Sequence, residues 1–260
     1  MTAKLDWPGR SLRDQVSEEE WRVRVDLAAC FRLVGQNGWN DSIYNHITAR
    51  VPGTGHILIN AFGLAFAELT ASSLIKLDLD GNLLFAAPDC PYVVNHPVIH
   101  GAVHRARDDV HCVIHTHPRA GVAVSAMKCG LLPISQSSLG FDNAIGYHDL
   151  EGPALDHAEG PRMVRALAGH DALILRSHGL VTCGRSVAEA FRLMHHLEFA
   201  CQIQVELMTS GAELVYPSDA AREAFIMRRG GATLDAPYTR DLDWEALLRS
   251  LDRGDPSYKS

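Results

Sequence analysis

The chain has 260 residues, 47% of them hydrophobic and 21% charged, with a formal net charge of −7; this suits one full globular domain and excludes a disordered polar chain. No long basic run is present, so charge gives no grip on nucleic acid or an anionic membrane, and no apolar run approaches the roughly 20 residues that span a bilayer. The six cysteines form no Cys-x-x-Cys pair and the polar start MTAKLDWPGRSLRDQ lacks a signal core, which predicts reduced thiols in a cytoplasmic protein.

Residues 1–16 have no consistent period and contain Pro8 and Gly9, predicting an N-terminal arm, mobile or packed on a neighbouring subunit. Ser17 to Glu20 is a capping-box pattern. It opens a helix with Trp21, Val25, Ala28, Ala29 and Leu33 on one face, stopping between Gly35 and Gly38. Ile43 to Val51 alternates as a strand does, and a Pro-Gly turn leads to His56 to Asn60, so a hairpin is expected. Leu74 to Leu79 and Leu83 to Ala86, around Asp80-Gly81, predict a second strand pair. Pro97 suits the first turn of a helix and holds the residue before it extended, which puts His96 at the helix entrance. His100 and His104 then share one helix face and read as packing or surface residues rather than ligands.

Val110 to Ile114 is short, apolar and β-branched, as a buried strand is, and ends in His115-Thr116-His117 before Pro118 opens a helix of small residues. Leu131 to Ile134 and Asn143 to His148 read as short strands joined by a Ser-Gln-Ser-Ser-Leu-Gly loop, and Gly160 to His170 as a helix. Asp171 to Leu180 is another apolar strand, ending at His178-Gly179. Ser186 to Glu189 repeats the capping-box signal and starts the longest helix, with Phe191, Met194, Leu197, Cys201, Val205 and Met208 as its stripe and Gly211 as its stop. Two weaker amphipathic segments follow, around Ala220 to Arg229 and Asp243 to Leu251.

Histidines one residue apart on a strand point to the same face. Held by rigid backbone, His115 and His117 suit a divalent transition metal. A core histidine beside an exposed one fits the pair alone equally well. His178, delivered in similar surroundings, tips the balance toward a site. Three protein ligands with an open position describe a catalytic metal rather than a structural one.

The stretches IYNHITARV, INAFGLAFAELTASSL, RARDDVHCVIHTHPRAGVAVSAMKCGLLPIS, YHDLEG and RSHGLVTCG resemble the class II aldolase/adducin superfamily, most of all its adducin-like branch, from about Trp21 to Leu207. The resemblance implies an α/β fold, a three-layer α/β/α sandwich around a mostly antiparallel sheet. It also implies one divalent metal on His115, His117 and His178, with zinc first and manganese or iron(II) as alternatives. A homo-oligomer is implied, a tetramer with active sites near subunit interfaces. The chain then divides into an arm (1–16), the family domain (17–215) and a C-terminal helical extension (216–260) packing on the domain or on a neighbour, with Tyr238 and Trp244 as expected contributors to a neighbour's active site.

Two departures from the family shape the expected function. Aldolases of the family carry a glutamate where this chain has His96, so His96 becomes the expected acid/base, or else a fourth nitrogen ligand. Sugar-phosphate aldolases carry a Gly-Asn-x-Ser type of segment where this chain reads Tyr44-Asn45-His46-Ile47-Thr48, which argues against a phosphorylated substrate. Asn45 and His46 are expected to line the substrate site; His46 equally suits a buried hydrogen-bonded position. The expected activity is that of a metal-dependent carbon–carbon lyase, aldolase or decarboxylase, on a small non-phosphorylated hydroxy-carbonyl or hydroxy-carboxylate compound, aromatic acids included. A histidine-ligated iron(II) oxygenase and a non-catalytic adducin-like binding module are the alternatives.

Overall fold

The computed structural model describes residues 11–87, 98–152, 158–229 and 242–260. His96 and Tyr238 therefore lie outside the described residues. The chain order is α1 (Glu18–Gln36), β1 (His46–Arg50), β2 (Ile57–Ile59), β3 (Ile75–Leu77), β4 (Leu83–Phe85), α2 (Val98–Ala106), β5 (Cys112–Thr116), α3 (Arg119–Ser125), α4 (Gln136–Leu139), β6 (Gly146–His148), α5 (Gly160–Leu167), β7 (Ala172–Leu175), β8 (Gly179–Gly184), α6 (Val187–Ser210), α7 (Asp219–Arg229) and α8 (Leu242–Gly254).

The strands form one sheet in the order β4-β3-β2-β1-β5-β8-β7-β6. Every pairing is antiparallel except β6 with β7, which are parallel and take α5 between them as their crossover. Side chains alternate across the sheet and divide the core in two. Val113, Leu173, Leu175, Val181 and Cys183 pack with Ile99 and Val103 of α2 and Met163 and Leu167 of α5. Cys112, Ile114, Ala172, Ile174 and Leu180 face the opposite layer of α1, α6 and α8. The expected three-layer sandwich around a mostly antiparallel sheet is the fold observed.

Both long helices start as their sequences require. Ser17 accepts from the Glu20 amide and Ser186 from the Glu189 amide, and Gly211 stops α6 in the left-handed region at φ 67°. The Glu20 carboxylate does not close its box. It accepts from Arg24 Nε (2.9 Å) and Lys76 Nζ (2.7 Å), while Arg24, fully buried, donates on to the carbonyls of Ala71 and Leu74. Burial of an arginine is tolerated there because carboxylate and carbonyl oxygens replace its water.

Three expected elements differ. Asp171 to Leu180 is not one strand: β7 ends at Leu175 and β8 begins at Gly179, with Leu175 paired to Gly179, so His178 sits in a tight hairpin turn where Ser177 takes a φ of 55°. Leu131 to Ile134 is not a strand; the Leu132 amide donates instead to Gln204 Oε1 at 2.7 Å. The serine-rich connector contains α4, capped by reciprocal Ser135 and Ser138 bonds. At the chain ends, Leu12 is fully buried and its amide donates to Ser72 Oγ. The amides of Ala71 and Ser72 donate to the carbonyls of Tyr258 and Ser260. Trp244 is buried against Phe191, with Nε1 donating to Asp26 Oδ1 at 3.2 Å.

Candidate metal centre

The three central strands set the site. β5 is buried along its whole length, and its register places His46 of β1 directly opposite His115. Parity puts His115 on the Val113 face of the sheet, the face covered by α2. Beyond the strand end, the His117 amide donates to the Trp39 carbonyl at 3.1 Å, which ties this segment to the loop after α1. The hairpin turn between β7 and β8 brings His178 alongside. That turn needs Gly179: a Cβ there would stand 2.5 Å from Thr116 O and 2.8 Å from His117 Cδ2.

The outcome is a triangle of imidazoles. Ring centroids are 4.7 Å apart for His115–His117, 4.8 Å for His115–His178 and 4.7 Å for His117–His178, and one nitrogen from each lies within 4.8 Å of the others. His115 Nδ1 lies 3.0 Å from the Leu180 carbonyl and donates to it, which leaves Nε2 as its free nitrogen. That Nε2 is 3.0 Å from His117 Nε2. Two nitrogens each about 2.1 Å from one ion are separated by about this distance. On the far side of His117, Asp41 Oδ2 lies 3.6 Å from Nδ1, where a carboxylate orients a ligating imidazole. These residues fit a divalent metal ion.

Burial keeps the rings neutral. It pushes His115 well below the ordinary imidazole value, with His46, His178 and His117 adding to the effect. His178 is lowered to about 4 by burial and by His117. Burial also lowers His117, against which Asp41 works. Neutral imidazoles are the form that binds metal.

Of the other expected site residues, His46 adjoins the triangle, with its ring 5.2 Å from that of His115. Asn45 is fully buried, and its Oδ1 accepts from the Asp41 amide, so it braces the loop that carries Asp41. His100 and His104 are the residues that sequence reasoning undervalued. Both are completely buried and bonded to Thr48, and His100 also to His46. Their spacing on one helix face was visible in sequence; the partner strand was not. Glu198, likewise unforeseen, reaches from α6 to accept from the Gly121 amide at 2.9 Å and so holds the start of α3, and its burial raises its carboxyl.

A second histidine–carboxylate group is built differently. His148 Nε2 lies 3.1 Å from Glu159 Oε1 and 3.8 Å from Glu151 Oε1, while Arg162 donates to Glu151 through Nε at 2.8 and 2.9 Å. The arginine already supplies the charge that an ion would bring.

A mostly antiparallel sheet between helical layers, with three imidazoles gathered at the ends of its central strands, defines a class II aldolase-type scaffold. The family model described as "Class II Aldolase and Adducin N-terminal domain" matches residues 25–205, and the chain belongs to that family. A Pseudomonas aeruginosa protein named for the class 2 aldolases is 47% identical over 262 residues, covering 100% of both chains. Alpha-adducin of Mus musculus is 45% identical over 243 residues, covering 88% of this chain but 33% of its own length. Among solved structures, an L-fuculose 1-phosphate aldolase from Glaciozyma antarctica PI12 matches with a TM-score of 0.80 at 25% identity, over 98% of each chain. Among the described residues, no helix is long and apolar enough to cross a membrane.

Proposed function

We propose that this protein is a metal-dependent carbon–carbon lyase, of aldolase or decarboxylase type, acting on a small non-phosphorylated hydroxy-carbonyl or hydroxy-carboxylate compound, aromatic hydroxy-acids included. The observation that carries the reading is the convergence of His115, His117 and His178 into one set of free nitrogens, in a chain of the class II aldolase family. These three would hold one divalent ion, zinc first, with manganese or iron(II) as alternatives. When bound, the ion supplies Lewis-acid polarisation of a substrate oxygen. His96 serves as the proton-transferring group, and Asn45 and His46 shape the substrate side of the site, Asn45 by bracing the loop of Asp41. The protein works as a homo-oligomer, a tetramer by analogy with its family.

The test is elemental analysis of untagged protein beside a His115→Ala, His117→Ala double variant, followed by assays on a panel of hydroxy-acids and aldols. About one ion per chain, lost in the variant, with metal-dependent turnover of a panel member is the expected result. Iron together with oxygen consumption would point to an oxygenase instead. The 45% identity to alpha-adducin favours a second reading, a non-catalytic binding module. A protein that takes up no ion after incubation with each metal and turns over no panel member would establish that one.

A further inference from the structure

Residues 41–46 form a short turn that is fastened to the imidazole triangle at both ends. At one end Asp41 Oδ2 lies 3.6 Å from His117 Nδ1; at the other the His46 ring lies 5.2 Å from that of His115. Within the turn the Tyr44 amide donates to the Asp41 carbonyl at 2.9 Å, and Asn45 Oδ1 accepts from the Asp41 amide. A bond of this span keeps the Tyr44 Cα within about 7 Å of that of Asp41, and two residues of backbone keep it within about 7 Å of that of His46. A tyrosine side chain is long enough to cover that gap. Tyr44 is 60% exposed.

A second ring meets it from the end of β2. There Asn60 Nδ2 lies 3.5 Å from the Asn45 carbonyl oxygen, which sets the end of β2 against the same turn. The Phe62 ring, half-buried, stands 6.0 Å from that of Tyr44 with 52° between their planes. Aromatic pairs attract at such separations, so the contact explains why the two rings meet. It does not explain why most of the tyrosine is left in water beside a buried set of imidazoles. An exposed ring on a turn pinned at both ends is a flat apolar face placed in advance, and a ligand that meets it loses little further freedom in doing so. Two rings tilted in this way make a corner. A flat group stacks on one and meets the other by its edge, the two arrangements that aromatic groups prefer.

We infer that Tyr44 and Phe62 are specificity-determining residues, an aromatic corner that receives the flat ring of an aromatic hydroxy-acid whose polar end lies at the imidazole triangle. The choice of a hydroxy-acid rests on the lyase reading above; the ring contact itself needs no turnover. The corner selects a flat ring over a saturated one of the same size, because only the flat ring can stack.

The test is titration calorimetry of the zinc-supplemented full chain with two probes, salicylate and 2-hydroxycyclohexanecarboxylate, which share the hydroxy-acid end and differ in whether the ring is flat. Wild type is expected to bind salicylate about tenfold more tightly than the saturated probe. Tyr44→Ala should reduce that preference to about twofold by weakening salicylate alone, and Tyr44→Phe should keep it. Phe62→Leu, which preserves apolar volume at the half-buried position, should reduce it about threefold. Equal affinity of wild type for the two probes, no binding of salicylate, or equal losses for both probes in Tyr44→Ala would overturn the inference. Unchanged affinities in Tyr44→Ala together with a lowered sedimentation coefficient would assign the ring to contact between copies of the chain, and would overturn it as well. A preference for salicylate without metal-dependent turnover of any hydroxy-acid or aldol would uphold the aromatic corner and remove only the lyase reading.

Discussion

Acidification of the metal-free protein tests the buried histidines directly. Burial lowers His46 and His178 to about 4 and His104 to about 3, against the ordinary 6.5 they regain on unfolding. Below pH 6.5 the unfolded chain therefore binds more protons than the folded one, and stability falls as pH falls. At pH 5 each of the three contributes about 2 kcal/mol toward unfolding, together about 6 kcal/mol relative to pH 7.5. That is comparable to the roughly 5–15 kcal/mol that holds a typical domain folded. His100 and His115 act in the same direction. Glu198, raised by burial, opposes them as a single group. Urea unfolding of chelator-treated protein, followed by circular dichroism at several values from pH 7.5 to 5.0, gives the slope. A steep loss beginning near pH 6.5 is expected, and His104→Gln should flatten it by about one proton. An unfolding free energy that changes by less than about 1 kcal/mol over that range would refute the reasoning.

Three further outcomes follow from particular contacts. Gly179→Ala sets a methyl group against Thr116 O and His117 Cδ2, so it should cost about 1–3 kcal/mol and lower zinc content in elemental analysis; unchanged zinc uptake and melting would count against the close approach. Arg24→Ala leaves Glu20, 4% exposed, short of one cation and should destabilise by about 3–5 kcal/mol in urea titrations. Tyr258→Ala removes a fully buried ring and its bond to Asp252, with an expected loss of about 3–5 kcal/mol, read as a lowered unfolding midpoint.

What was legible in the sequence was what local rules govern. The starts of α1 and α6 follow from Ser17 and Ser186, and the buried strand β5 follows from a β-branched run closed by His-x-His. The place of His178 was legible as a third ligand but not as a hairpin turn. Ser177 adopts the left-handed conformation without being glycine, so no turn residue marked the break between β7 and β8. The connector that contains α4 was misread because Ser135 and Ser138 act as reciprocal caps rather than as loop residues. The hydrogen-bonded group behind His46 was hidden for a different reason. His100 and His104 advertise a shared helix face, whereas Thr48 joins them only through the pairing of β1 with β5, which no local pattern encodes. His96 and Tyr238 lie outside the described residues, and their expected roles remain proposals.

The triangle of imidazoles is anchored on β5 and on the turn entering β8, in the middle of an eight-stranded sheet, rather than on surface loops. Its backbone can open only with the sheet, so the amides of Ile114 to Thr116 and of Leu180 belong to the slowest-exchanging set of the molecule. An ion there would be gained and lost through the solvent-facing side on which exposed Asp41 stands, without unzipping the strands that hold it. Loading would then be a matter of access and ligand exchange, decoupled in time from folding, and a protein stripped of its ion would keep a site already shaped to take it back.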